Sequence, residues 1–298
     1  MKVGYFPGCS LHATAKEFDE SLRAVAGQVD LELDEIKDWS CCGATSAHAT
    51  NHLLSVGLAA RNLWLAHDQK HDQVMAPCAA CYSRLAVARH AITHDDRVAT
   101  RVRAMLGSES FTDMKVLNVV DLFQSMLPVL QEKVVRPLAG LKVACYYGCL
   151  LVRPSEVTGC AEPDAPTAME EIVRSVGANP VPWNMSLSCC GGGFSISRTG
   201  SVLRLGRTIL ADARSAGAQA LVVACPMCQS NLDLRQNAMA RRGESAEPLP
   251  ILYLTQLIGL AFGMSEADLG LRRHFVSPAS VLQALQAPLA LPAAREEA

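Results

Sequence analysis

Apolar positions recur along the chain with two periods. Steps of three and four mark helix faces, and short unbroken apolar runs mark buried strands. A run over 2–6 predicts a buried strand that ends at Pro7-Gly8-Cys9. Leu11, Ala15, Phe18, Leu22, Val25 and Val29 then fall on one face of a helix. Residues 31–36 alternate apolar and acidic positions, as an edge strand does. A second helix is predicted over 46–67, with Leu53, Leu54, Leu58 and Trp64 on its buried side. Strands follow at 74–76 and 116–120. Between them lie a helix running to Thr93, a polar bend at 94–97 and a further helix ending at Gly107. A last helix of this half is placed around 122–132.

The pattern then restarts after Arg136-Pro137-Leu138-Ala139-Gly140. A strand over 141–147 precedes an acidic, proline-rich loop at 159–166. The next helix carries Met169, Ile172, Val173 and Val176, and an edge strand at 179–183 follows. A helix with Val202, Leu205, Ile209 and Ala213 on one face leads to strands at 220–224 and 251–254, separated by a helix reaching Arg241. Alternating strands and helices predict an α/β fold with a small parallel sheet in each half. The division expected is 1–138, 139–286 and a disordered, Ala/Pro/Glu-rich tail at 287–298.

Composition narrows the functions available. Net charge is −2, which speaks against nucleic acid or an anionic membrane as the main partner. The apolar stretch 251–264 is shorter than the roughly 20 residues a membrane span needs. Its Leu257-Ile258-Gly259-Leu260 segment offers at most a peripheral membrane contact. Neither a Gly-x-Gly-x-x-Gly after a strand nor a P-loop is present, so a nucleotide cofactor is not expected. Twelve cysteines without an apolar leader imply a reducing, cytoplasmic compartment, where thiols serve metals or redox chemistry.

Ten of those cysteines repeat their order. Cys9, Cys41-Cys42-Gly43 and Cys78-x-x-Cys81 in the first half answer to Cys149, Cys189-Cys190-Gly191 and Cys225-x-x-Cys228 in the second. Adjacent cysteines point apart, so they suit a multi-metal core better than one tetrahedral ion. The glycine that follows permits close backbone approach or φ > 0. Five thiols exceed the four of a zinc site or a cubane cluster, which leaves an unusual cluster or a cubane with a spare thiol. A zinc-stapled scaffold is the non-redox alternative. Cys145 and Cys160 have no partner in the repeat and read as packing or loop thiols. His48/His52, His67/His71 and His90/His94 are spaced for one helix face each, more in keeping with solvated surfaces than with metal. His48, six residues past the first cysteine pair, is a candidate proton donor. Arg153 and Arg198, after the second-half ligands, are candidates for a substrate carboxylate.

The pattern Cys…Cys-Cys-Gly…Cys-x-x-Cys, twice, resembles the cysteine-rich CCG-domain family, and among its members the B subunit of heterodisulfide reductase and bacterial relatives. Segments 5–12, 41–48, 146–154 and 224–229 carry the resemblance. It implies two CCG domains related by a pseudo-twofold axis. It further implies two non-cubane [4Fe-4S] clusters, held by Cys9, Cys41, Cys42, Cys78 and Cys81 and by Cys149, Cys189, Cys190, Cys225 and Cys228, with Gly43 and Gly191 against them. In one variant zinc replaces one cluster. The activity implied is reduction of a disulfide, or oxidation of thiols or sulfane sulfur, between the two clusters. The chain has no ferredoxin-type cysteine run. The implied partners are therefore a ferredoxin-like iron–sulfur C subunit, backed by a flavin-containing A subunit. Relatives associated with succinate dehydrogenase imply an alternative, an electron-transfer subunit facing the quinone pool.

Overall fold

The structure is a computed structural model that describes residues 1–44, 47–107, 114–241 and 247–286. Two four-stranded, all-parallel sheets form its frame. β1 (Lys2–Tyr5), β2 (Glu32–Glu35), β3 (Gln73–Met75) and β4 (Lys115–Leu117) pair in the order β2-β1-β3-β4. β5 (Lys142–Tyr146), β6 (Asn179–Pro180), β7 (Ala220–Val223) and β8 (Ile251–Tyr253) repeat that order as β6-β5-β7-β8. The inner strands are apolar because helices cover both their faces. The acidic alternation at 32–35 sits on an edge strand, as expected. The expected tail at 287–298 lies outside the described residues.

Local chemistry ends the elements where the periodic pattern alone does not. The first helical face is buried throughout, but it belongs to two helices, Gly8–Ala13 and Lys16–Gln28. The second helix divides at Asn51, whose side chain accepts the Leu54 N–H and so caps His52–Asp68. That cap also removes the expected pairing of His48 with His52 on one helix. His71 lies beyond the helix end, buried against Gly4 and 3.5 Å from Asp34, so it does not pair with His67. Only His90 and His94 share a face as expected, with rings stacked at 4.1 Å. Residues 116–120 are half strand and half helix. Asn118 accepts the Val120 and Asp121 N–H groups, and Asp121 answers as a capping box for Val119–Gln124.

The buried side of His52–Asp68 differs from the expectation. Leu54 is 43% exposed, and Leu53, Leu58 and Trp64 are only partly covered. Val56, Ala59, Ala60 and Leu63 face the core instead, where the helix meets Ala79–His94 and Asp96–Leu106. Small residues let those helix backbones approach, and the larger leucines are left at the rim.

The halves meet through helices. Lys16–Gln28 packs on Leu254–Ala261, with Phe18 stacked on Tyr253 at 4.2 Å and Ser21 hydrogen-bonded to Thr255 at 2.7 Å. This seam explains the apolar Leu257-Ile258-Gly259-Leu260 segment. All four residues are buried in it and are not available as a membrane contact. Across the molecule, Ala168–Ser175 packs on Val119–Gln124, and Gln124 donates to Glu171 at 3.1 Å.

Candidate metal centre

Six strands end in cysteine-bearing loops, so the parallel order gathers the thiols at one end of each sheet. In the first half, Cys42 and Cys81 Sγ lie 3.3 Å apart, Cys78 touches Cys81, and Cys9 touches Cys41. The second half repeats the arrangement. Cys190 and Cys228 Sγ are 3.5 Å apart, Cys225 touches Cys228, and Cys149 touches Cys189. Cys78 and Cys225 also touch one another across the seam. That contact joins the two sets at their buried ends, while Cys9, Cys41 and Cys189 remain exposed.

The glycines act through their backbone. Gly43 has φ +77° and donates its N–H to Cys41 Sγ at 3.4 Å. Gly191 has φ +80° and donates to Cys189 Sγ at 3.3 Å. Gly8, just before Cys9, is tighter. At φ +68°, a Cβ placed there would lie 2.9 Å from Cys81 Sγ. Gly8→Ala is expected to incur about 1–2 kcal/mol of left-handed backbone strain and to displace Cys81. Metal analysis of the purified variant should show loss of first-half metal, while Gly27→Ala, with nothing within 4 Å, keeps it. Full metal content in Gly8→Ala would contradict this role.

Contacts between neighbouring thiols favour the thiolate on some members and the thiol on others. Its contact with Cys81 brings the Cys42 thiol down to about 7, and contact with Cys149 brings Cys189 down to about 5. Cys225 is held well below its ordinary value by Cys228 and Cys78. Cys78, Cys81, Cys149 and Cys228 are pushed up as the protonated members of these contacts. Such a donor set, all sulfur and five per half, suits a soft, multi-metal group such as an iron–sulfur cluster. The thiols follow one another rather than converge. Among the described residues no three His, Cys, Asp or Glu side chains are placed to hold one ion.

Other site residues fall unevenly. His48 is exposed on Ala47–Thr50, and Arg198 is exposed ahead of Thr199–Ser215. Neither side chain has a hydrogen bond or ion pair among the described residues. Arg153 is occupied by Asp164 at 2.5 Å. Cys145 is buried in β5 and Cys160 lies half-buried in a loop, both apart from the ten. Two supports were not anticipated. Asn231 holds the Cys190 carbonyl at 3.1 Å, and Arg84 favours the Cys42 thiolate electrostatically. Each stands three residues after the second cysteine of a Cys-x-x-Cys, hence on that cysteine's helix face. That spacing was the signal available in the sequence. Tyr146, buried among Cys149, Cys189, Cys190 and Cys228, bonds the Ser188 carbonyl and fixes the loop into the second cysteine pair.

Fold and site together define a duplicated α/β protein that gathers two sets of thiols at the carboxyl ends of parallel strands. The chain belongs to the CCG cysteine-rich domain family, whose model matches residues 3–86 and 143–233. It is 33% identical to the 8-methylmenaquinol:fumarate reductase membrane anchor subunit of Wolinella succinogenes, over 92% of this chain and 97% of that one. It is 27% identical to the B subunit of the Ferredoxin/F(420)H(2)-dependent CoB-CoM heterodisulfide reductase of Methanosarcina acetivorans, over 92% and 94%. A protein of Archaeoglobus profundus described as like the B subunit of heterodisulfide reductase is also 27% identical, over 88% and 91%. Among solved structures, a hypothetical protein from Helicobacter pylori shares the fold at TM-score 0.72 and 12% identity. The match covers 93% of this chain and 52% of that one. Among the described residues no helix is long and apolar enough to cross a membrane.

Proposed function

We propose that the chain is the iron–sulfur redox subunit of a heterodisulfide-reductase-like complex, acting on a disulfide or on thiols. The observation that carries this reading is the Cys78–Cys225 contact, which makes two five-thiol sets neighbours across the seam. The sets Cys9, Cys41, Cys42, Cys78, Cys81 and Cys149, Cys189, Cys190, Cys225, Cys228 would each hold one non-cubane [4Fe-4S] cluster. Such groups supply electrons singly, and a disulfide takes up two electrons and two protons to become two thiols. Gly43 and Gly191 orient Cys41 and Cys189 by their N–H bonds. His48 is proposed as proton donor and Arg198 as carboxylate binder, both with exposed, unengaged side chains. Electrons would be exchanged with a ferredoxin-like iron–sulfur C subunit, backed by a flavin-containing A subunit, in a cytoplasmic complex. The proposed division is 1–138 and 139–286.

The test is EPR of anaerobically purified protein titrated with a small thiol and with its disulfide. The proposal expects the signal to change with either. A signal that no thiol or disulfide moves would sink the disulfide reading. The second reading, an electron-transfer subunit facing membrane quinone, draws support from the 33% identity to a menaquinol:fumarate reductase subunit. It predicts oxidation of the reduced protein by a short-chain menaquinone and indifference to thiols.

A further inference from the structure

The molecule builds the same helical seam twice and closes its far end only once. Counting back from β2 and β6, Leu22, Val25, Ala26 and Val29 correspond to Met169, Ile172, Val173 and Val176. Phe18 then corresponds to Ala165 and Ser21 to Ala168. The two capping boxes align Tyr253 with Asn118 and Thr255 with Val120. At one seam Phe18 and Tyr253 stack nearly parallel, 7° apart. At the other, Asn118 and Ala165 stand in place of both rings, with Ala165 exposed just ahead of helix Ala168–Ser175. A cleft of about 980 Å³ lies there, lined by Ala165, Ala168, Asn118 and Val120 among others. A concave cleft of this size is the kind of place where small ligands bind.

The walls specify what fits. At the end where the ring pair is missing, the cleft offers the ring of Tyr82 beside Asn118, Leu151 and Val152. Arg89 follows Tyr82 by seven residues on Ala79–His94, about 10 Å along the helix axis. Lys115 precedes Asn118 by three residues along β4, again about 10 Å. Strand and covering helix run in opposite directions, so both cations are displaced the same way from the ring end. Neither side chain forms an ion pair or hydrogen bond among the described residues. Asp121 also lines the cleft. Its carboxylate is held by Asn118 at 2.7 Å; burial raises it to about 6, and Lys115 acts on it electrostatically without closing to an ion pair.

We propose that this cleft binds an elongated organic anion with a planar ring at one end and a carboxylate about 10 Å away, the ring occupying the place of the missing aromatic pair and the carboxylate meeting Arg89 and Lys115. The site is separate from the ten cysteines and does not depend on which reaction they serve.

The experiment is isothermal titration of the full, metal-loaded chain with 6-phenylhexanoate, whose length matches. The expected result is one saturable site, with phenylacetate, hexanoate and 6-phenylhexan-1-ol each weaker by about tenfold or more, the scale of one lost charge-assisted or ring contact. Ala165→Phe restores the ring that Phe18 supplies at the other seam and should abolish binding without changing metal content. Arg89→Gln and Lys115→Gln should each weaken the acid but not the alcohol. They keep the test decisive if Ala165→Phe fails to fold. Absence of saturable binding to the wild type, equal binding of acid and alcohol, or acid binding unchanged in both charge variants would overturn the proposal. So would unchanged binding to a folded Ala165→Phe chain.

Discussion

A chain carrying Cys81→Ser is expected to lose the metal of its first half and keep that of its second. Cys81 is buried, lies 3.3 Å from Cys42 Sγ and also touches Cys78, so it stands inside the first set of thiols. Serine keeps the shape but offers a harder, more basic oxygen in place of a soft thiolate. Iron and acid-labile sulfide per chain should fall to about half if each set holds one cluster. Cys228→Ser should do the same to the second half, because it repeats the contacts with Cys190 and Cys225. The double variant should be empty. Full iron in either single variant would remove these residues from the ligand set. Zinc in place of iron in the wild-type protein would return the scaffold reading.

The largest expected change in stability follows Phe18→Ala. The Phe18 ring is wholly buried at the seam and stacks on Tyr253. Truncating it removes a buried aromatic side chain and leaves a cavity between the halves, which costs about 3–5 kcal/mol. Phe275→Ala is the matched control, since Phe275 is 68% exposed and should change stability by less than about 0.5 kcal/mol. Denaturant titration reads both. A loss under about 1 kcal/mol for Phe18→Ala would mean that the seam collapses around the gap. It would also weaken the account of Ala165 as the position that leaves the other seam open.

Much of the frame was legible because it rests on local pattern. Both sheets, their parallel sense and the duplication followed from apolar periodicity and the repeated cysteine order. Misplaced details share one cause. The helix pattern puts Leu54 on the buried side, yet the packing there selects Ala59 and Ala60, which allow the neighbouring helices closer. The apolar Leu257-Ile258-Gly259-Leu260 segment looked like a docking surface because nothing in the chain order announces that Lys16–Gln28 covers it.

The sequence by itself determined the duplicated cysteine pattern, for the ten cysteines and their glycines repeat in fixed order and that repetition needs no partner to be read. It determined the strand–helix alternation for the same reason, because period is a local property. Tertiary structure alone decided which thiols touch, that Cys78 meets Cys225 across the seam, and that Gly8 must leave room for Cys81 Sγ. It also decided that one of two equivalent seams is closed along its length and the other open at one end. Those facts depend on contacts between residues far apart in the chain, and such contacts arise only when two similar halves with different side chains close on each other.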